Sequence, residues 1–287
     1  MSGSASRYRP QLEALEDRQL LASKISFDLS NTTMFIQGDS KANTVSLFDD
    51  GTGGFGNVTG EVDHKSFDFL TSTRRIRNIV LDMGKGNDSV FYVLQPTTVN
   101  ARMAVSAHLG TGNDTFGLAA DNVVFSGAVY DFSVFGDTGN DVITASALNS
   151  NLFGGSRLNF SVQGGAGADA IRAVQSGFME FQTTLNVQFS GGLGNDTMSI
   201  DSTLANFSRG SANLRVNGDE GSDHLDLVAR QQGTLLLSDL VGIIDGGSGP
   251  NDKRRVLHPN DIEDITATGN VFLQNFDPRS HISWIYS

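Results

Sequence analysis

Aspartate recurs at regular intervals through the chain, each time inside a short turn rich in glycine and asparagine. The turns read MGKGNDSVF, LGTGNDTFG, GDTGNDVIT, GGAGADAIR, GGLGNDTMS and GDEGSDHLD, and their aspartates are Asp88, Asp114, Asp141, Asp169, Asp196 and Asp223. Successive aspartates are 26, 27, 28, 27 and 27 residues apart. Stacked repeats would bring these carboxylates into one column. Because Ca²⁺ binds about six to eight hard oxygens from carboxylates and backbone carbonyls, the spacing favours a row of cation sites.

The same column also has an interpretation that needs no cation. Glycine and asparagine suit turns with positive φ, and Asn and Asp side chains bond nearby backbone groups. Repulsion argues against a purely structural column. Two carboxylates about 5 Å apart repel by about 0.9 kcal/mol in water, and by about 3 kcal/mol at an effective dielectric constant of about 20. Aspartate at all six positions therefore indicates either strong backbone capping or a bound cation.

Apolar residues flank every turn at a spacing of two, which is the period of a β-strand. They lie nine and seven residues before each aspartate and two and four after it, from Ile79 and Leu81 in the first repeat to Leu225 and Leu227 in the last. Such a unit buries its apolar face only by stacking on its neighbours. The sequence therefore predicts an all-β fold, a parallel β-helix or β-solenoid of about 7–8 coils. A two-sheet antiparallel sandwich is the rival fold.

The periodicity divides the chain into four parts. Residues 1–24 are expected to form a leader or targeting arm with a short helix after Pro10, and residues 25–75 the first coils or a cap. Residues 76–256 carry the solenoid repeats, and residues 257–287 are expected to form a C-terminal cap in which Trp284 covers the last coil. A cap is expected because an open solenoid end presents unpaired strand edges.

Composition excludes several classes of protein. The chain has 287 residues, a net charge of −12 and no cysteine, so disulfides and thiolate metal sites are ruled out. The negative charge argues against nucleic-acid partners, and no apolar run is long enough to predict a membrane span. The glycine turns lead into strands rather than helices, which argues against a phosphate-binding loop. A polysaccharide-cleaving β-helix needs a local cluster of acids, whereas these acids follow the repeat, so we expect no catalysis.

Two short stretches resemble known families. GGAGADAIR and GGLGNDTMS fit the nonapeptide GGxGxDxUx of RTX, or hemolysin-type, proteins, where U is a large apolar residue. The resemblance implies a bacterial, secreted parallel β-roll that binds Ca²⁺. Its ligands would come from the six aspartates and from the turns that contain Gly164, Gly165, Gly167, Gly191, Gly192 and Gly194. One nonapeptide per 27 residues leaves only one row of sites. LEDRQLL at residues 15–21 resembles the LEPR-XLL motif of bacterial surface and secreted repeat proteins, with Asp17 in place of its Pro.

Taken together, the residues and the resemblance predict a bacterial extracellular or cell-surface repeat protein with a structural or adhesive role. Calcium is the expected ligand, coupled to folding, and a surface polysaccharide or another surface protein is the expected partner. Two alternatives stay open at this point: a surface solenoid without a ligand, and a carbohydrate-active β-helix enzyme.

Overall fold

The chain folds into a parallel β-solenoid, known here from a computed structural model. The structure describes residues 23–28, 30, 32–54, 57–67, 75–95, 97–232, 239–248, 253–257 and 281–286. The predicted helical arm before residue 23 and most of the predicted C-terminal cap lie outside these residues. Among the described residues, no helix is long and apolar enough to cross a membrane.

Two large sheets form the main sides of the solenoid. The first sheet has ten strands: β1 (Lys24–Phe27), β2 (Thr33–Gln37), β6 (Asn78–Asp82), β9 (Arg102–His108), β12 (Val129–Phe135), β15 (Arg157–Ala166), β17 (Thr184–Leu193), β19 (Ser211–Glu220), β21 (Asp239–Asp245) and β23 (His281–Tyr286). The second sheet also follows the coils: β5 (Lys65–Phe67), β4 (Val58–Val62), β3 (Thr44–Asp49), β7 (Ser89–Leu94), β10 (Thr115–Ala119), β13 (Val142–Ala147), β16 (Ala170–Glu180), β18 (Thr197–Ser208), β20 (His224–Gln232) and β22 (Lys253–Leu257).

A short third sheet closes one side of the middle coils. It consists of β8 (Thr98–Val99), β11 (Val124–Ser126) and β14 (Asn151–Phe153), and β14 pairs with β16 where Leu152 meets Met179. The chain thus alternates between the two large sheets, and six regular turns carry the repeat. The predicted parallel solenoid is confirmed, and the antiparallel sandwich is wrong because the strands of successive coils pair in parallel.

The strands pair in a constant register, so that each repeat position lies next to the equivalent position of the neighbouring coil. Val90 pairs with Phe116, Phe116 with Ile143, and Ile143 with Ile171 along the second sheet. The four apolar columns predicted from the sequence face the interior, and all of their members are buried except Ala145, which is partly buried. This contiguous apolar interior is the main stabilising contribution to the fold.

The N-terminal end is closed by strands that run the other way. β1 pairs antiparallel with β2, and the β4–β5 hairpin pairs antiparallel with β3. Just inside this end, the buried carboxylate of Asp49 accepts hydrogen bonds from the hydroxyl groups of Tyr92 and Tyr130 and from the backbone N–H of Gly51. Burial raises the pKa of the Asp49 carboxyl, because the charged form loses its hydration. Reversed strands and this buried polar group therefore mark the first coils.

The close stacking of coils predicts that a side chain at the fourth position of a glycine turn, such as Gly194, destabilises the protein. A Cβ on Gly194 would overlap the carbonyl oxygen of Gly167 one coil earlier, whereas a Cβ on Gly155 would meet nothing within 4 Å. Both glycines have positive φ, at 136° and 78°, so alanine is strained at either site. We expect Gly194→Ala to lower the unfolding free energy by about 3 kcal/mol or more, and Gly155→Ala by only about 1–2 kcal/mol. Thermal and urea unfolding measure both, and equal losses would contradict this account of the corner.

Candidate functional site: a buried aspartate column

The six predicted aspartates stack in one column at the corner between the two large sheets. Each follows the glycine turn and precedes a strand of the second sheet. Isolated parallel bridges join Lys85 to Thr111, Thr111 to Thr138, and Thr138 to Ala166, so the pairing of coils continues through the turn itself. This backbone ladder holds each carboxyl one coil away from the next, as the sequence predicts.

One oxygen of each carboxylate caps the backbone of the preceding coil. The backbone N–H of Asp88 donates to Oδ1 of Asp114 at 2.6 Å, and that of Asp114 donates to Oδ1 of Asp141 at 2.8 Å. The same bond recurs at 2.8 Å to Asp169, Asp196 and Asp223. Capping of the backbone thus occurs between coils rather than within one turn, and it accounts for Oδ1 without any ligand.

Asparagine makes a matching ladder in the opposite direction. The backbone N–H of Asn113 donates to Oδ1 of Asn87, and that of Asn140 donates to Oδ1 of Asn113, both at 2.9 Å. Oδ1 of Asn140 likewise accepts from the backbone N–H of Ala168. Where both ladders are present, two coils are joined by two side-chain bonds of opposite polarity. Each such bond is worth about 1 kcal/mol.

The second carboxylate oxygen is the unusual feature of the column. The aspartates are only 1–2% exposed, and Oδ2 of Asp88, Asp114, Asp141, Asp169 and Asp196 has no hydrogen-bond donor. A buried acceptor left without a donor costs about 1–3 kcal/mol, and more when it carries a charge. A proton or a cation at Oδ2 would remove this cost.

Electrostatics confirm that the ionised form is disfavoured. Burial, only partly offset by the hydrogen bond to Oδ1, raises the pKa of Asp88 and of Asp196 to about 6 and that of Asp141 to about 7. The neighbouring carboxylates raise these pKa values further. The pKa values of Asp114 and Asp169 are also raised by burial. At neutral pH the column therefore holds charge in a place where hydration cannot stabilise it.

Where the first residue of a turn is glycine, a backbone carbonyl oxygen of the next coil lies beside the same Cα as Oδ2 of the turn's aspartate. A Cβ built on Gly164 would lie 2.5 Å from Oδ2 of Asp169 and 2.5 Å from the carbonyl oxygen of Gly191 in the next coil. At Gly191 the corresponding oxygens belong to Asp196 and Gly218, and both lie within 2.8 Å. Two acceptors thus border one buried space at each of these turns.

The other predicted glycines have a structural place. Gly165 and Gly192 occupy the second position of their turns with φ of 109° and 102°, and Gly167 and Gly194 the fourth position with φ of 151° and 136°. Asp137 and Asp219, which replace the second glycine in two turns, have positive φ and side chains outside the column. Asp137 lies 3.4 Å from Nδ1 of His108, and Asp219 accepts hydrogen bonds from Ser190 and Asn217. These two acids do not extend the column.

The donor set has the chemistry that Ca²⁺ prefers, because it consists of carboxylate and carbonyl oxygens. It has few acidic ligands, since each coil offers only one carboxylate oxygen, Oδ2, that does not accept a backbone hydrogen bond from the preceding coil. Within the described residues no three His, Cys, Asp or Glu side chains lie close enough together to hold a metal ion. A cation at this corner would therefore take the rest of its ligands from backbone carbonyls and water.

Asn43 is a further member of the column; the sequence marks its stretch, residues 37–47, as an eroded first copy of the repeat but does not single out this residue. The QGDSKANTVSL stretch stands one coil before the first aspartate, and the backbone N–H of Asn43 donates to Oδ1 of Asp88. Oδ1 of Asn43 accepts from the backbone N–H of Asp39, and its Nδ2 donates to Oδ2 of Asp63. An amide at this position therefore satisfies both of its polar ends. The alternation of Thr44, Ser46 and Phe48 with buried Val45 and Leu47 was the signal that could have located it.

The raised pKa values predict how stability depends on pH in the chelator-treated protein. The carboxyls of Asp88, Asp141 and Asp196 titrate near 3.8 when unfolded and at about 6 to 7 when folded. Their contribution is therefore complete below pH 3.8 and is lost as pH rises through 6 to 7. We expect the thermal midpoint in EDTA to fall between pH 5 and pH 8.

Asp141→Asn is the matched variant, because an amide does not titrate but its Oδ1 still accepts the bond from Asp114. We expect a smaller fall of the midpoint between pH 5 and pH 8 in this variant than in the unaltered chain. An equal fall in the two proteins would show that the column is not the source of the pH dependence.

Comparison with known proteins leaves the family open. No family model, no curated protein and no solved structure matches this chain. The likenesses to RTX repeats and to the LEPR-XLL motif therefore rest on the quoted residues alone, while the solenoid and its column stand on the structure.

Proposed function

We propose that this protein is a calcium-binding structural repeat module of the bacterial cell surface or exterior, with an adhesive role. The observation that carries the proposal is the row of buried Oδ2 atoms of Asp88, Asp114, Asp141, Asp169 and Asp196, each beside a turn and without a donor. Calcium would stabilise the coils by neutralising these oxygens and by bridging carboxylates to the glycine carbonyls of the next coil.

Energetics support a cation more than an empty column. Like charges one coil apart repel, and the chain as a whole carries −12. A divalent cation cancels both the local repulsion and part of the net charge. Since the site forms only when coils stack, the free energy of binding adds to the free energy of folding. Extracellular calcium modules bind with dissociation constants of about 10⁻⁴–10⁻³ M, which suits a site with few acidic ligands.

The outer faces support a surface role. Phe91 and Phe48 are 44% and 41% exposed on the outside of the second sheet. On the first sheet Asn159, Asn186 and Asn213 are joined by hydrogen bonds between their amides across adjacent strands. A rigid face with ordered amides and exposed aromatic rings is suited to binding a surface polysaccharide or another surface protein.

Burial weighs against a catalytic role for the column. A general acid and its partner must reach the scissile bond of a polymer, but Asp141, Asp169 and Asp196 are at most 2% exposed. Their place in the interior suits an ion or a proton and excludes a polysaccharide chain.

A calcium titration of the full chain after chelator treatment tests the proposal. At pH 7.5 we expect the thermal midpoint, followed by far-UV circular dichroism, to rise with Ca²⁺ and to saturate. Ligand at a hundredfold excess over its dissociation constant contributes about 2.7 kcal/mol per site. For a chain of this size that corresponds to a rise of about 5–10 °C.

The double variant Asp169→Asn and Asp196→Asn should lose most of this rise. It should still fold without calcium, because Asn keeps the Oδ1 bond. Its N–H group also replaces the unpaired Oδ2 and faces the carbonyl oxygen of Gly191 or Gly218 that borders the same space. Asp137→Asn is the control, since this exposed acid lies outside the column. A folded chain whose midpoint does not respond to Ca²⁺ would overturn the proposed function.

A further inference from the structure

The first position of the turn divides the column into two kinds of corner. Four turns begin with glycine, at Gly136, Gly164, Gly191 and Gly218, and two begin with Met83 and Leu109. At the four glycines a built Cβ would lie within 2.8 Å both of Oδ2 of the aspartate in the same turn and of a carbonyl oxygen in the next coil. The missing side chain therefore leaves the two oxygens facing bare backbone.

Methionine and leucine remove this arrangement. A Cβ cannot share the space that Oδ2 occupies beside a glycine, so the turns of Met83 and Leu109 must place the oxygen differently. Both side chains are fully buried, and they bring hydrocarbon to the corner where the other turns present only a Cα. A dehydrated Ca²⁺ ion has no ligand to gain from an apolar wall.

The coil before these two turns carries no carboxylate in the column at all. Asn43 stands there, and its amide already has an N–H donor from Asp39 and an acceptor in Asp63. Amide, apolar-flanked acid and glycine-flanked acid thus follow one another from the N-terminal end toward the C-terminal end.

We propose that calcium acts only on the glycine-flanked turns, residues 136–223, so that the solenoid has a metal-independent N-terminal half and a metal-dependent C-terminal half. This inference rests on the proposed function and specifies which turns of the column perform it. Four glycine-flanked turns set an upper limit of four calcium ions per chain.

The N-terminal half has its own sources of stability. The antiparallel strands β1, β4 and β5 close its end, and strands β8 and β11 of the third sheet add a further side. Its interior holds a cluster of aromatic rings in which Tyr92 meets Phe132 at 5.1 Å and Phe125 meets Tyr130 at 5.7 Å between ring centroids. These contacts stabilise the first coils without a cation.

Hydrogen–deuterium exchange of the full chain tests the division. Peptides are compared in about 10 mM CaCl₂ and in chelator at one pH, because this calcium concentration is about tenfold above a dissociation constant of about 10⁻³ M. We expect exchange in peptides from residues 136–228 to slow by about tenfold or more with Ca²⁺, which corresponds to about 1.4 kcal/mol. Peptides from residues 78–119 should exchange at the same rate in both conditions.

The outcomes separate this inference from the proposed function. Equal protection of both halves by Ca²⁺ would overturn the division while the calcium-binding function stands. Absence of protection in every peptide would overturn both.

A matched pair of variants gives an independent readout. Asp196→Asn and Asp114→Asn change the same repeat position, but Gly191 begins the first turn and Leu109 the second. Native mass spectrometry counts the bound ions, and isothermal titration calorimetry checks the count. We expect Asp196→Asn to lower the number of bound Ca²⁺ ions by at least one and Asp114→Asn to leave it unchanged. Equal losses in the two variants would overturn the division.

Gly191→Ala adds a second check at the same corner. The new Cβ would displace Oδ2 of Asp196 and crowd the carbonyl oxygen of Gly218. We expect the calcium count to fall as in Asp196→Asn, although every carboxylate is retained. An unchanged count in a folded Gly191→Ala protein would show that the open space beside glycine is not needed.

Discussion

Hydrogen bonding of each coil to the next in one fixed register is the constraint on which the other features depend. Because Val134 must lie on Val162, and Val162 on Phe189, any residue type that suits one coil is repeated in a column. Apolar columns gain from this repetition, since like side chains fill one continuous interior. An acidic column is penalised by it, because every carboxylate is placed beside another in a site with little water.

The corner reconciles these opposing demands through its side-chain bonds. Asp Oδ1 reaches back to the preceding coil, and Asn Oδ1 reaches forward to the next. A junction tied in both directions resists slippage, because a shift of one residue would break both bonds at once. The remaining oxygen, Oδ2, is what this arrangement leaves without a donor. Burial of that oxygen is the reason for the raised pKa values and for the proposed role of a cation.

Much of the fold could be predicted from periodicity alone. A spacing of two around each turn marked the strands, and a period near 27 marked the coil. The column of aspartates also followed from stacking. Its burial and the direction of its bonds could not be predicted, because both depend on which side of the turn faces the interior. The same periodicity indicates that Asp49 is buried, because it follows Val45 and Leu47 at a spacing of two.

In the turns that begin with Met83 and Leu109, the departure from glycine can be seen in the sequence, but its effect on the carboxylate cannot be predicted from it. Both depart from the glycine pattern in the printed sequence, yet only the geometry shows that the first position borders the carboxylate of its own turn. A consensus motif treats such a departure as one mismatch among several. In the folded chain it decides whether Oδ2 faces bare backbone or hydrocarbon.

The parallel pairing of coils also determines how the molecule would yield to tension. Bonds between coils run along the axis of the stack, so a pull on the two ends opens them one row after another instead of shearing all rows together. Each released coil of 27 residues would add about 90 Å of extended chain. A protein built in this way lengthens in steps under load, and between Asp88 and Asp223 the aspartate corner lies at each junction where a step begins.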